Sequence, residues 1–289
     1  MKRFFNARAM MVFSAAMFGT MAPIVRRIAV TSAELALYRA ILAALLISGY
    51  LIATRQKIEF SKIKKELLLL LCSGTAMGFN WILLFQAYRY TTVSVSTLSY
   101  YFAPVIVTVL SPILFREKMT RRQIICFVMS TIGLVLVINV SGLDDNPSHL
   151  IGILFGLGAA CLYATVVLVN KFIKNVSGIH RTLLQFLAAI IVLTPYVACT
   201  GGFHPEVLDS VGWICLLIVG LFHTGIVYCM YFTSLKELSG QEASILSYVD
   251  PLVAVVVSVV VLHEPITVLQ IIGGAMILGF TLWNERSSS

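Results

Sequence analysis

Long apolar runs dominate the chain, and short stretches containing charged residues, glycines or prolines separate them. A helix needs about 20 apolar residues to cross the hydrocarbon core of a bilayer, and the runs reach this length repeatedly. The pattern therefore predicts an all-α integral membrane protein with ten transmembrane helices. The expected spans are roughly 9–28, 33–53, 66–87, 93–115, 121–140, 149–170, 180–200, 210–234, 241–262 and 267–284.

Composition agrees with this pattern. Of the 289 residues, 59% are hydrophobic and 12% are charged, whereas a soluble domain contains about 25% charged residues. The six cysteines lie singly inside apolar runs, in neither disulfide nor metal-ligand spacing. We interpret them as small hydrophobic side chains, so neither a metal site nor a cofactor is expected.

The distribution of basic residues predicts the orientation. A net charge of +8 is compatible with nucleic acid or with a membrane surface as partner. The basic residues lie between the apolar runs, as orienting charges do, so no nucleic acid is expected. With a cytoplasmic N-terminus, all of the 21 Lys and Arg except Arg26, Arg27, Arg39 and Arg89 fall on the cytoplasmic side. We therefore expect a multi-pass protein of the cytoplasmic (inner) cell membrane with both termini in the cytoplasm.

The chain also contains an internal repeat. A shift of 147 residues aligns 101–129 with 248–276, and ten of these 29 positions are identical. The identical positions include Tyr101/Tyr248, Pro104/Pro251, Ser111/Ser258, Glu117/Glu264, Thr120/Thr267 and Gln123/Gln270. We therefore expect two five-helix halves, at residues 1–143 and 144–289.

Because five is an odd number, the second half must cross the membrane in the opposite sense to the first. Inverted repeats recur in secondary transporters, where two similar halves expose a central site to each side in turn. Some channels share this organisation. The run at 9–28 follows basic residues, as a signal peptide does, but it pairs with 149–170 in the second half. It is therefore expected to be a retained helix.

Asp250 and two prolines are the first candidates for a functional role. Asp250 falls near the middle of the ninth span, where a charged side chain is costly and must face the bundle interior. Pro104 and Pro251 free the carbonyl groups four residues earlier, which predicts hinges beside a cavity. His223 and Arg39 are the candidate partners of Asp250. A structural ion pair, a substrate contact and proton transfer are the roles left open for this acid.

Further polar-tipped side chains within the spans are candidates for a pocket that takes a zwitterion or an aromatic ring. Together with Asp250, the candidate substrate-binding residues are Arg39, Asn80, Trp81, Tyr100, Tyr101, His223, Tyr228, Ser247 and Tyr248. The alternative for each is a role in the core or as an interface anchor.

Two matched glutamates, Glu117 and Glu264, lie at corresponding helix corners and are candidates for gate contacts. Each stands three residues before a threonine that begins a Thr-x-x-Gln pattern, at Thr120 and Thr267. This pattern predicts a capping box at the start of the fifth and tenth helices. Local capping is therefore the alternative role of the glutamates.

The stretch from Ser247 to Gly279 resembles the EamA-type domain of the drug/metabolite transporter superfamily. The resemblance rests on a Ser-Tyr-x-acidic-Pro run, a later Glu-Pro-x-Thr, a glutamine and a Gly-Gly pair. These motifs fall on Ser247, Tyr248, Asp250, Pro251, Glu264, Pro265, Thr267, Gln270, Gly273 and Gly274. The first half keeps several of these residues but has Ala103 in place of the acid. The resemblance extends over nearly the whole chain.

This resemblance implies ten helices in two EamA repeats and a secondary transporter of a small organic metabolite, such as an amino acid or a related compound. Many similar proteins are exporters that work by alternating access. The expected partners are a small-molecule substrate, the lipid bilayer, and a proton or a counter-solute as the driving species; a homodimer is left open.

The alternatives are a channel and a membrane enzyme that acts on a lipid-linked substrate. An enzyme needs convergent catalytic groups, but the five histidines are dispersed and no span contains a carboxylate pair. No catalytic residue is therefore expected.

Overall fold

The computed structural model describes residues 6–56, 60–115, 120–138, 147–176, 178–235, 238 and 246–285. Within these ranges the chain is built from helices, without strands. A nine-residue π-helical segment, Ile218–Ile226, joins two α-helices of the second half. The α-helices are α1 (Ala7–Gly19), α2 (Met21–Arg26), α3 (Ser32–Ala53), α4 (Phe60–Tyr90), α5 (Val93–Tyr100), α6 (Ala103–Phe115), α7 (Arg121–Ile138), α8 (Pro147–Asn170), α9 (Gly178–Thr200), α10 (Ser210–Leu217), α11 (Val227–Leu235), α12 (Val249–Val260) and α13 (Val268–Glu285).

These helices confirm the predicted all-α membrane protein. Seven helical stretches in the described ranges are long and apolar enough to cross a membrane, and two further apolar helices are shorter. Each of the ten predicted spans contains helix in the structure, with α7 in the fifth span and α12 in the ninth. The long stretches are Ala7–Arg26, Ser32–Ala53, Ile63–Tyr90, Val93–Leu110, Ser148–Asn170, Gly178–Thr200 and Ser210–Tyr231.

The two predicted capping boxes are confirmed at the starts of α7 and α13. The backbone N–H of Thr120 donates to Gln123 Oε1 at 2.8 Å, and that of Thr267 donates to Gln270 Oε1 at 2.9 Å. In return, each glutamine N–H donates to the threonine hydroxyl at 3.2 Å. These reciprocal bonds satisfy donors that a helix start otherwise leaves without partners.

The predicted proline hinges are breaks between helices. Pro104 is the second residue of α6, and Pro251 is the third residue of α12. A turn precedes each proline, at Tyr101 in the first half and at Tyr248 in the second. In the first turn of a helix the missing N–H of proline removes no hydrogen bond, so both prolines start a new helix rather than bend an old one.

Helix packing has the exchange symmetry expected of two related halves. In the first half, α1 packs on α11 and α12 of the second half. Its counterpart α8 packs on their counterparts α4 and α6, and also on α5. α3 packs on the π-helical segment, as α9 packs on α4, and α7 pairs with α13. Exchanging the two halves thus converts these contacts into one another. The expected boundary at residues 143 and 144 lies outside the described residues.

Glycines permit the close approach of α7 and α13. A Cβ at Gly133 would lie 2.7 Å from the carbonyl oxygen of Gly273, well inside van der Waals contact. Small residues of this kind let backbones pack closely where lipid provides no hydrophobic driving force. Gly273 of the Gly-Gly pair therefore serves helix contact.

A buried carboxylate ties α4 to the loop between α8 and α9. Glu66 is 5% exposed, and it accepts hydrogen bonds from the backbone N–H groups of Lys174, Asn175 and Val176 at 2.7, 2.9 and 3.2 Å. The Asn175 side chain adds a fourth bond at 2.9 Å. Three backbone N–H groups of this loop therefore depend on one side chain for their acceptor.

Candidate functional site

The two helix breaks meet at a hydrogen bond. The Tyr101 hydroxyl, at the first break, donates to Asp250 Oδ2 at 2.7 Å. The rings of Tyr101 and Tyr248, which occupy matching positions in the repeat, have centroids 6.3 Å apart. Asp250 therefore bonds to the other broken helix, rather than to His223 or Arg39 as the sequence suggested.

His223 contacts a different part of the bundle. It lies in the π-helical segment and is 2% exposed. Its Nε2 is 3.3 Å from Thr20 Oγ1, and its Nδ1 is 3.3 Å from the carbonyl oxygen of Ile218. The imidazole thus links the eighth predicted span to the junction of α1 and α2.

Arg39 is a buried cation held between aromatic rings. It is 1% exposed, and its guanidinium carbon lies 4.3 Å from the centroid of Trp81 and 5.4 Å from that of Phe85. Cation–π contacts of this kind stabilise a desolvated guanidinium. Its Nε and Nη1 nevertheless have no hydrogen-bond partner. Because a charged residue at a helix centre costs about 2.5–3.5 kcal/mol on insertion scales, these free donors are a costly feature of the fold.

Three tyrosines interact with both of the opposite charges of the site. Tyr88, Tyr100 and Tyr228 are each within electrostatic range of both Arg39 and Asp250. Arg39 and Asp250, both among the described residues, form no ion pair with each other. The tyrosines therefore connect the surroundings of the two charges, which do not contact each other.

Aromatic rings from several helices surround these charges. Trp81 packs against Phe186 with centroids 5.5 Å apart, and Phe186 packs against Tyr228 at 5.8 Å. Beside Asp250, Tyr100 packs against Tyr101 at 5.9 Å and against Tyr163 at 5.5 Å. The rings form a wall that suits an organic solute with a polar end.

Part of this wall is not fully buried. Asp250, Tyr100, Tyr101 and Tyr228 are each partly accessible to solvent. The structure therefore leaves these four predicted residues partly accessible within the bundle.

A cavity adjoins this group at the ends of α2 and α4. Its volume is about 270 Å³. Phe85 belongs to its lining and also contacts Arg39, and Tyr88 belongs to its lining and interacts electrostatically with Asp250. The full lining is Val25, Arg26, Ile28, Ala29, Phe85, Tyr88 and Arg89.

Two residues that were predicted to bind the substrate contact neighbouring helices in the structure. Asn80 is 2% exposed, and its Nδ2 donates to the carbonyl oxygen of Ala159 at 2.6 Å, which ties α4 to α8. Ser247 Oγ lies 4.0 Å from the sulfur of Met11. Both side chains therefore hold helices in place in this conformation.

Helix α1 approaches the site closely at Gly19. A Cβ at this position would lie 2.5 Å from the carbonyl oxygen of Asp250 and 2.8 Å from the Cβ of Val253. Any side chain would therefore push α12 away from α1. The absence of a side chain at Gly19 sets the position of the Asp250 turn.

Glu264 closes a corner of the bundle. Its Oε1 accepts from Arg26 Nη1 at 2.5 Å, while its Oε2 accepts from the Val93 N–H at 2.8 Å and from the Ser258 hydroxyl at 2.5 Å. Arg26 also donates to the backbone carbonyls of Tyr88, in the last turn of α4, and of Thr91, just after it, at 2.9 and 2.8 Å. This single carboxylate joins α2, α5 and α12. Its counterpart Glu117 lies outside the described residues.

Sequence reasoning did not single out two residues of this site, Tyr88 and Phe186. Each is an aromatic residue in an apolar run and has no local feature that separates it from the core. A signal for Phe186 does exist, because it lies 147 residues after Arg39 and so occupies the matching position in the repeat.

Comparison with known proteins identifies the family. The model of the EamA-like transporter family matches residues 7–139 and 150–284. An uncharacterized transporter of Bacillus subtilis, YxxF, is 31% identical over 252 residues, which cover 86% of this chain and 80% of the relative. An uncharacterized transporter of Clostridium kluyveri is 26% identical over 83% of this chain and 81% of its own length.

A solved structure supports the fold. It superimposes with a TM-score of 0.62 over 95% of this chain and 96% of its own, at 15% sequence identity. At that identity the likeness concerns the fold alone. The two family matches, in contrast, cover nearly all of the sequence. The protein is a multi-pass membrane transporter, and the chain belongs to the EamA-like transporter family.

Proposed function

We propose that the protein is a secondary active transporter of a small organic metabolite, such as an amino acid or a related compound, and that it works by alternating access across the cytoplasmic membrane. The observation that carries this proposal is the meeting of the two broken helices at the Tyr101–Asp250 hydrogen bond. Secondary transporters bind solutes near the membrane midplane, where discontinuous helices of two repeats face each other.

The two halves, 1–143 and 144–289, are the moving units in this proposal. The exchange symmetry of the helix contacts supports it, because each half can then adopt the conformation of the other. The breaks before Pro104 and Pro251 divide the fourth and ninth spans into parts that can tilt separately. With both termini in the cytoplasm, the Glu264 corner closes the outer side of the site.

The driving force in this proposal is a proton or an exchanged solute. Asp250 is the group that would bind either a proton or a cationic part of the solute, since it is a partly accessible carboxylate at the meeting of the two helix breaks. The proposed direction is export, and this part rests on the family resemblance.

Purified protein in liposomes tests the proposal. Labelled amino acids and related metabolites are supplied inside or outside, with and without a pH gradient, and uptake and counterflow are measured. Saturation and counterflow are expected, and both should be reduced strongly by Asp250→Asn. Glu206→Gln, which alters an exposed carboxylate outside the site, is the matched control.

Two results would contradict the proposal. Flux that rises linearly with solute concentration and lacks counterflow would indicate a channel. Failure of every amino acid and related metabolite to move, in liposomes that contain folded protein, would exclude the substrate class.

A further inference from the structure

An apolar groove runs along one face of α13. Its volume is about 510 Å³, and all of its lining residues belong to this helix. They follow one another at intervals of three and one positions, so they share one helical face. The lining residues are Ile272, Ala275, Met276, Gly279, Phe280 and Trp283.

The other face of α13 is the one that packs in the bundle. A Cβ at Gly273 would lie 2.4 Å from the carbonyl oxygen of Gly133 on α7, and a Cβ at Gly274 would lie 2.9 Å from Leu98 on α5. The groove face is open instead, since Ile272 is 46% exposed and Trp283 is 40% exposed. In a membrane-spanning helix such an exposed apolar face contacts lipid.

Gly279 forms an open part of this groove. A Cβ at this position would have no atom within 4 Å, so no contact in the protein requires a glycine here. Glycine also weakens the interior of a helix. The helix therefore has a depression that no other part of the described chain fills.

The groove has the length of one leaflet of a bilayer. Its lining begins at Ile272 and ends at Trp283, a distance of about 16 Å at about 1.5 Å per residue. The hydrocarbon core of a bilayer is about 30 Å thick, so the groove covers about half of it. An acyl chain from a single leaflet matches this length.

A basic side chain lies at the Trp283 end of the groove. The guanidinium carbon of Arg122, on α7, is 4.3 Å from the centroid of the Trp283 ring, and its Nη2 donates to the carbonyl oxygen of Trp283. Its Nε has no hydrogen-bond partner, and Nη1, which is not buried, has none among the described residues either. A guanidinium held flat on an aromatic ring with donors to spare suits a phosphate.

The charge around Arg122 also favours an anion. Residues 116–122 contain four basic residues and one acidic residue. Among the described residues, Arg122 forms no ion pair. Basic groups at the ends of membrane helices attract the headgroups of anionic lipids.

We propose that the groove binds an anionic phospholipid, with its phosphate on Arg122 and one acyl chain along α13. Because Arg122 lies on α7, the lipid bridges the two helices whose backbones meet at Gly133 and Gly273. It thereby stabilises the pairing of α7 with α13. The proposal does not depend on which solute the protein transports.

Binding of defined lipids to the full-length protein in detergent tests the proposal. Phosphatidylglycerol or phosphatidylcholine with the same acyl chains is added to delipidated protein. Native mass spectrometry counts the bound lipid, and thermal unfolding reports stabilisation. Phosphatidylglycerol is expected to bind at concentrations about tenfold lower than phosphatidylcholine. Glycerol 3-phosphate, which has the phosphate but no acyl chain, is expected not to stabilise the protein.

One pair of variants tests the headgroup contact. Arg122→Gln should weaken binding of phosphatidylglycerol about tenfold or more, as expected for a lost hydrogen bond to a charged group, and it should reduce the preference over phosphatidylcholine. Arg121→Gln is the matched control, because it removes the same charge from the next residue, about 100° further around the helix. Its effect should be smaller.

A second pair of variants tests the acyl-chain contact. Gly279→Leu fills the groove without meeting protein atoms at its Cβ, so the variant should fold and bind both phospholipids about tenfold more weakly. Gly49→Leu is its control. Gly49 is an exposed glycine on α3 whose added Cβ also has no atom within 4 Å, and this variant should bind phosphatidylglycerol like the parent.

Several results would overturn the proposal. These are equal binding of the two phospholipids, equal losses in Arg121→Gln and Arg122→Gln, and unchanged binding of phosphatidylglycerol by Gly279→Leu. Stabilisation by glycerol 3-phosphate as strong as that by phosphatidylglycerol would assign Arg122 to a soluble phosphate instead. Loss of dimers rather than of lipid in Gly279→Leu would assign the groove to a second copy of the chain.

Discussion

The corner held by Glu264 provides a direct test of how the bundle opens. Glu264→Gln keeps the size of the side chain but removes its charge and one of its two acceptor oxygens. Arg26 then loses its ionic partner, and the Val93 N–H and the Ser258 hydroxyl compete for one oxygen. We expect the corner to open more readily.

The size of this effect follows from the contacts. The ion pair is partly exposed, with 28% of the Arg26 side chain and 12% of the Glu264 side chain accessible, so it contributes about 0.2–1 kcal/mol. One lost hydrogen bond to a charged acceptor adds about 1.5–3 kcal/mol. At the low end of these ranges, the closed state is destabilised relative to the open state by about 2 kcal/mol. This change raises the ratio of open to closed molecules about 30-fold.

A cysteine at Val25 reports this opening. Val25 lines the cavity at the ends of α2 and α4 and is 4% exposed, so a membrane-impermeant maleimide reaches it when the corner opens. In a background without native cysteines, the labelling rate of Val25→Cys should rise about 30-fold with Glu264→Gln. Arg26→Gln should give a similar rise, and the double variant little more, because both changes break one contact.

The result that refutes this reasoning is equally specific. Ala29→Cys lies in the same cavity but is already exposed, so its labelling should not depend on Glu264. If Ala29→Cys reacts normally while the rate at Val25→Cys is unchanged by Glu264→Gln, the corner is not a gate. Glu206→Gln serves as the control for loss of a carboxylate.

Three further predictions concern the site and its supports. Tyr101→Phe removes a 2.7 Å bond to Asp250 and should lower kcat/KM for transport about tenfold, as measured in liposomes; an unchanged value would exclude a positioning role. Glu66→Ala removes the acceptor of three backbone N–H groups, of which that of Val176 is buried, so thermal unfolding should show a loss of about 1–3 kcal/mol with solute preference unaltered. Gly19→Ala should displace the turn around Asp250 and impair transport, whereas Gly49→Ala, with no atom within 4 Å of the added Cβ, should be tolerated; equal transport by the two variants would contradict this packing argument.

Much of the fold could be predicted because its signals are local. Apolar run length predicts spans, and the Thr-x-x-Gln patterns predict helix starts, since a capping box involves residues three positions apart. The prolines at 104 and 251 likewise indicate interruptions in their spans. The break geometry itself was not predicted, because proline fits both a kink and a helix start.

The contacts within the site depend on distances between helices, and local patterns do not encode these. The sequence suggested His223 and Arg39 as partners of Asp250, because basic residues are easy to recognise in a sequence. The partner in the structure is the phenol of Tyr101. Arg39 is held by aromatic faces, which resemble ordinary core residues in an apolar run. The repeat is the one long-range signal in the chain, and it relates Arg39 to Phe186.

The opposite charges of Arg39 and Asp250 have an electrical consequence. Moving one elementary charge through the whole membrane field requires about 2.3 kcal/mol per 100 mV. When both side chains shift through the same part of the field, their contributions cancel, so reorientation of the empty carrier is insensitive to voltage. A proton that neutralises Asp250 leaves the positive charge of Arg39 uncompensated. The same movement then carries an electrical current. Voltage dependence of the return step therefore distinguishes a carrier that returns with a proton from one that returns empty.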